Sequence, residues 1–177
     1  MPAIDIHCHF FPRDYIGEAL KGEVYGDAAR DAAWQYLLRE RVMPDPAMSD
    51  IDLRLEDMDK GQTEIQVLST VGPSVFFRDP DRSMGLSRLC NETLSGIRKK
   101  YPERFRALAS VPIHCGDRGL DELGHALDEL GLDGVLLGSN ICGRYLDHPD
   151  FIPFFEEANR RGLLVFVHPM SPPAAQE

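Results

Sequence analysis

Ala3-Ile4-Asp5-Ile6-His7-Cys8-His9-Phe10-Phe11-Pro12 reads as a β-strand that ends in two histidines and is stopped by a proline. Side chains on a strand alternate between faces, so His7 and His9 point one way while Ile6 and Cys8 point the other. Two imidazoles side by side at a strand end can chelate one divalent cation. Imidazole suits zinc, iron, nickel or copper better than magnesium or calcium. For this stretch alone, a solvated histidine pair is the competing reading.

Outward from it, strands and helices alternate. A short helix is expected over 15–20, with Gly22 and Gly26 loosening the chain after it. Asp27 is the expected N-cap of a helix that runs through Trp34, Leu37 and Leu38 to Arg41. Ser49 or Asp50 caps another, carrying Leu53, Leu55 and Met58 and closing at Gly61. Residues 63–70 form a second strand, broken at Val71-Gly72-Pro73. A helix over about 81–100 turns Met84, Leu86, Leu89, Leu94 and Ile97 inward. Then come a strand (105–111), a helix (120–130), a strand (134–137), a helix (151–161) and an apolar strand (163–167) that runs into His168-Pro169. The Ser-Pro-Pro-Ala-Ala tail carries no element signal.

Five strands, each apolar enough to be covered on both sides, predict βαβ units and a parallel sheet of an α/β fold. A doubly wound dinucleotide-binding sheet would carry G-x-G-x-x-G after a strand, and the sequence has none. The histidines instead sit at carboxyl ends of the first and fifth strands. In a (β/α)8 TIM barrel those ends converge on one mouth. The length of 177 residues is enough for part of a barrel, which typically takes about 250.

Composition bounds the function. Hydrophobic content of 43% and charged content of 27% are ordinary for a globular chain. A formal net charge of -10 without a basic stripe excludes nucleic acid and anionic membrane as expected partners. The amino terminus shows no basic region followed by an apolar run, and no stretch is long and apolar enough to span a bilayer. Cys8, Cys90, Cys115 and Cys142 form no C-x-x-C pair, so neither a disulfide framework nor a structural zinc knuckle is expected. The expected compartment is the cytoplasm.

Four stretches resemble the amidohydrolase superfamily, in the amidohydrolase-related branch that includes aminocarboxymuconate-semialdehyde decarboxylase. They are Ile4-Asp5-Ile6-His7-Cys8-His9-Phe10-Phe11-Pro12; Arg54 through Met58-Asp59 to Gln66-Val67-Leu68-Ser69-Thr70; Gly134-Val135-Leu136-Leu137-Gly138-Ser139-Asn140; and Leu146-Asp147 through Val165-Phe166-Val167-His168-Pro169. The resemblance covers nearly the whole chain, 1–177, as a single amidohydrolase-related domain. It implies the first five strands of the family's barrel. It also implies His7 and His9 as strand-one metal ligands and His168 as the strand-five ligand, with zinc or another divalent transition metal as cofactor.

The resemblance further implies an aspartate ligand on an eighth strand and an acid/base histidine after the fifth. Neither is present before Glu177, so no catalytic residue is assigned. The chain is expected to be the amino-terminal part of a longer enzyme, binding metal more weakly and turning over poorly by itself. A self-dimer could cover its open sheet edges.

The implied activity is non-oxidative, metal-dependent decarboxylation of a small unsaturated or aromatic carboxylic acid. Metal-dependent hydrolysis of an ester, lactone or amide is the alternative within the family. A catalytically inert metal-binding fragment is the alternative outside it.

Other residues have plainer readings. Arg39 and Arg41 lie where family decarboxylases often place an arginine for the substrate carboxylate, but here they read as solvated helix arginines. Arg54 reads as a structural ion-pair partner, His114 as a loop histidine near the mouth, and His125 as solvated on an amphipathic helix. His148 belongs to a turn, Cys8 to the core, and Asn140 either touches substrate or shapes a turn.

Overall fold

The computed structural model describes residues 3–21, 24, 28–72 and 74–172. Strand β1 (Ala3–His9) is followed by helices α1 (Arg13–Ala19), α2 (Ala28–Leu37) and α3 (Ile51–Lys60), then by β2 (Thr63–Ser69) and α4 (Pro80–Lys100). Strand β3 (Phe105–Ser110), helix α5 (Asp117–Gly124), strand β4 (Gly134–Gly138), a hairpin of β5 (Asn140–Ile141) and β6 (Arg144–Tyr145), helix α6 (Ile152–Arg161) and β7 (Val165–His168) complete the order. The five main strands form one parallel sheet in the order β1-β2-β3-β4-β7. Each consecutive pair is joined by a crossover that carries at least one helix, as parallel pairing requires. The expected N-cap at Asp27, the glycines at 22 and 26, Pro73 and the tail beyond 172 lie outside the described residues.

Local chemistry explains the element ends. Asp50 caps α3 by accepting from the backbone N–H groups of Asp52 and Leu53 at 3.1 and 3.3 Å. Asp79 does the same for α4, whose first residue is Pro80. Gly162 takes the left-handed conformation, with φ 60°, that ends α6. Gly61 follows α3 as expected but stays right-handed; Gln62, with φ 54°, makes the left-handed step instead. Both α2 and α5 run on into π-helical turns, Leu38–Val42 and His125–Glu129. The β5–β6 hairpin turns on Cys142 and Gly143, both at positive φ, the geometry of a tight two-residue turn.

The core lies between the sheet and its helices and includes Leu68, Ala107, Val135 and Leu137 from the strands and Leu94 and Phe154 from the helices. The buried face of α4 is more polar than hydropathy predicts. Ser83, Ser87, Asn91 and Ser95 are buried beside Leu86, Cys90 and Leu94, whereas Met84 is only half-buried. Asn91 Nδ2 donates to buried Glu122 at 2.8 Å and to the Ser110 carbonyl at 3.2 Å, and Asn91 Oδ1 accepts from the Ser110 N–H at 2.9 Å. Arg88 closes the network on Glu122 at 2.8 Å. A satisfied network of this kind fixes α4 against β3 and α5.

Strands β1 and β7 are the two edges, and Ile4, Ile6 and Val167 on them are exposed. Four interstrand steps of about 4.8 Å would separate these edges by about 19 Å in a flat sheet. The imidazoles of His7 on β1 and His168 on β7 instead stand 5.1 Å apart. The sheet is therefore curled like part of a barrel wall, with its two edge strands facing one another across the opening.

Candidate metal centre

Three imidazoles meet at the carboxyl ends of the edge strands. Ring centroids lie 4.9 Å apart for His7 and His9, and 5.1 Å for each of them with His168. Each ring offers a nitrogen, and these nitrogens lie within 4.8 Å of one another. A tetrahedral cation with bonds of about 2 Å spaces its donors about 3.4 Å apart, so modest ring rotations bring this cluster to bonding distance. Three imidazole nitrogens are also the right donor type for a divalent transition metal. The residues fit the group.

Backbone clamps hold both ends of the cluster. On β1, the Phe10 N–H donates to the Ser69 carbonyl at 2.9 Å. Ser69 Oγ donates to the Cys8 carbonyl at 3.1 Å, Thr70 Oγ1 to the Phe10 carbonyl at 3.0 Å, and Arg54 Nη2 to the His9 carbonyl at 2.7 Å. On β7, the Ser139 N–H donates to the His168 carbonyl at 2.8 Å, and Ser139 Oγ accepts from the Met170 N–H at 2.9 Å. Side chains supply four of these six bonds because each strand leaves the ladder there and its peptide groups still need partners.

Electrostatics keep the His9 and His168 rings neutral. Burial, then the neighbouring His168 and His7, lower the His9 pKa to about 4. Burial lowers that of His168 as well. Cys8 is buried in the core, donates to the Val67 carbonyl at 3.2 Å, and has its thiol pushed up to about 12 by burial. It is a packed side chain rather than a thiolate.

His9 and His168 open onto a cleft of about 640 Å³ whose wall is mainly apolar, with Phe11, Trp34, Leu37, Val71 and Met170 in it. Helix α2 and its π-helical extension form one side. The Amidohydrolase family model matches residues 4–177.

The chain belongs to the amidohydrolase family.

Its similar proteins are longer. A 2-amino-3-carboxymuconate-6-semialdehyde decarboxylase of Dictyostelium discoideum is 37% identical over 176 residues, 94% of this chain and 48% of the relative. A 6-methylsalicylic acid decarboxylase of Aspergillus aculeatus is 33% identical over 172 residues, 96% of this chain and 48% of the relative. The chain thus spans about half the length of the curated relatives it matches. Among solved structures, a 5-carboxyvanillate decarboxylase from Novosphingobium aromaticivorans, complexed with manganese and 4-hydroxy-3-methoxy-5-nitrobenzoic acid, shares the fold. Its TM-score is 0.81 at 23% identity, over 99% of this chain and 52% of that one. A partial TIM barrel of this family is the observed fold.

The remaining candidates of this family member fall into place singly. Arg41 is exposed and lines the cleft, whereas Arg39 does not. The π-helical turn shapes this part of the wall, and nothing in composition announces such a turn. Arg54 is buried, but the ion pair expected of it gives way to hydrogen bonding: besides His9, it donates from Nε to the Ala47 carbonyl at 2.9 Å. His114 does not line the cleft; its Nε2 lies 3.0 Å from the Phe77 carbonyl. His125 is mostly buried rather than solvated, with Nδ1 3.0 Å from Glu129. His148 caps the turn before α6, accepting from the Asp150 N–H at 3.2 Å. Asn140 ties down the segment after β7, donating to the Ser171 carbonyl at 2.9 Å. Ser69 and Ser139, which sequence reasoning passed over, hold the two strand ends. The carbonyls they serve give no signal in the sequence.

Proposed function

We propose that His7, His9 and His168 hold one divalent transition metal, zinc or manganese, at the head of a cleft that takes an aromatic or unsaturated carboxylic acid. The reaction replaces the substrate's carboxylate by a proton on the same carbon, releasing carbon dioxide without oxidation. The observation that carries this reading is the meeting of three imidazole donors beside the apolar cleft that two of them line. The relatives support the reaction class, since both are decarboxylases by name. Manganese enters through the fold neighbour's bound metal, and zinc through the three-histidine donor set.

Bound there, a divalent cation would supply Lewis-acid polarisation of a substrate oxygen. The chain's own residues bind and orient the metal and the acid. Neutral His9 and His168 present lone pairs at pH 7 without having to lose a proton. Arg41 is the one fixed cation in the described lining, which contains no carboxylate to repel an anionic acid. Its guanidinium is suited to draw a carboxylate to the rim. Trp34, Phe11 and Met170 give the organic part of the substrate an apolar wall and exclude water from it.

Among the described residues, which include all four cysteines, there is no disulfide, and no helix is long and apolar enough to cross a membrane. Reduced thiols support a cytoplasmic placement.

The test is carbon dioxide release from aromatic and unsaturated acids by the zinc- and manganese-loaded chain, beside His168→Ala. Metal-dependent release, lost in the variant, is expected. A folded, metal-loaded chain that releases none from any of them would leave the inert metal-binding reading in its place.

A further inference from the structure

We propose that Ser69 sets the tautomer of His9, keeping the proton on Nδ1 so that Nε2 presents its lone pair to the metal; the consequence for binding rests on the metal reading above. Ser69 ends β2 directly opposite His9 in the parallel register. It is 2% exposed, so its hydroxyl is not shared with bulk water. Two groups compete for that hydroxyl: the Cys8 carbonyl oxygen at 3.1 Å and His9 Nδ1 at 3.4 Å. A carbonyl oxygen can only accept, and a serine hydroxyl has one proton to give. The proton therefore lies on the Cys8 side, which is also the shorter contact. The Oγ lone pair is left facing Nδ1, and that contact is attractive only if Nδ1 carries the N–H.

A neutral imidazole has a single N–H, so placing it on Nδ1 leaves Nε2 bare. His168 is arranged in the same sense by a different acceptor, its Nδ1 standing 2.9 Å from the Pro169 carbonyl. Two of the three rings thus have a backbone-anchored acceptor at Nδ1. For His9 the anchor is a side chain contributed by the neighbouring strand, which makes it separable by mutation. Partners that orient a ligating histidine are worth about 10- to 100-fold in metal affinity. Ser69 is a positioning residue, acting on the metal only through His9.

The experiment is long-range proton–nitrogen correlation NMR on the metal-free chain labelled at histidine nitrogens, at pH 7, followed by zinc titration. In the wild type His9 is expected with a protonated Nδ1. In Ser69→Ala the His9 signals should shift toward the other tautomer while those of His168 stay, and zinc affinity should fall at least about tenfold. Ser69→Thr, which keeps the hydroxyl, should restore both. A wild-type His9 protonated at Nε2 overturns the proposal without any variant. So does a folded Ser69→Ala chain with unchanged tautomer and affinity. Wild-type protein that takes up no metal sinks the metal reading instead, and the tautomer of the metal-free chain still judges Ser69.

Discussion

The imidazoles of His7 and His168 stand 5.1 Å apart although their strands are the opposite edges of a five-stranded sheet. Between these edges, β4 and the chain entering β7 approach one another closely at Gly134. A Cβ on Gly134 would lie 2.8 Å from the Leu164 carbonyl oxygen and 3.1 Å from Leu108 Cδ2. Backbone cannot swing aside as a side-chain tip can. Gly134→Ala should therefore cost about 2 kcal/mol, within the range for overpacking, and should weaken metal binding by displacing β7. Thermal unfolding and zinc titration check both; an unchanged midpoint and affinity would contradict the account.

Arg54 joins the histidine strand to the loop before α3 through two carbonyls, those of His9 and Ala47. Arg54→Met fills similar space but leaves both acceptors without this donor. A loss of about 3 kcal/mol is expected, since charged hydrogen bonds contribute about 1.5–3 kcal/mol each and are partly replaced by water. Arg54→Lys should recover only part of it, because an ammonium cannot span two directions as a planar fork does. Urea unfolding of the three proteins gives the comparison.

Trp34 is the single tryptophan of the chain and lines the cleft, so intrinsic fluorescence reports occupancy. Benzoate-type ligands should quench it. Arg41→Gln should weaken that binding about tenfold, equivalent to about 1.4 kcal/mol, with metal content unchanged. Equal affinity in the variant would remove Arg41 from the substrate's path.

Acid should destabilise the metal-free chain before its carboxylates titrate. The folded pKa of His9 is about 4, against an ordinary value of 6.5, and those of His114 and His168 are also lowered by burial. The unfolded chain then binds more protons in this interval. The stability these groups contribute is fully present above about pH 6.5 and is lost as the pH falls towards 4. Urea midpoints at pH 7.5, 5.5 and 4.5 should decline in that order, and His9→Gln should show a shallower decline.

Much of this was legible in the sequence, for physical reasons that differ by residue. Alternation along β1 placed His7 with His9 and put Cys8 in the core. Strand-helix alternation led to His168 as the last residue of a further parallel strand, and Asp50 was readable as a cap because capping is local. The polar face of α4 was not readable, because Ser87 and Asn91 count against burial until the Ser110 carbonyl and Glu122, 23 and 31 positions away, supply their partners. Arg54 and Ser69 were misjudged or passed over for a related reason: their partners are backbone carbonyls 45 and 61 positions distant. The π-helical turn that carries Arg41 depends on one extra residue per turn, which composition does not mark.

The central claim is that three histidines from opposite edges of the sheet form one metal site. Its most direct test is metal content per chain of the size-fractionated protein, beside His9→Ala. The account predicts close to one zinc or manganese per chain, lost in the variant while the fold persists. A folded wild-type chain that retains no transition metal after equilibration with either would contradict it.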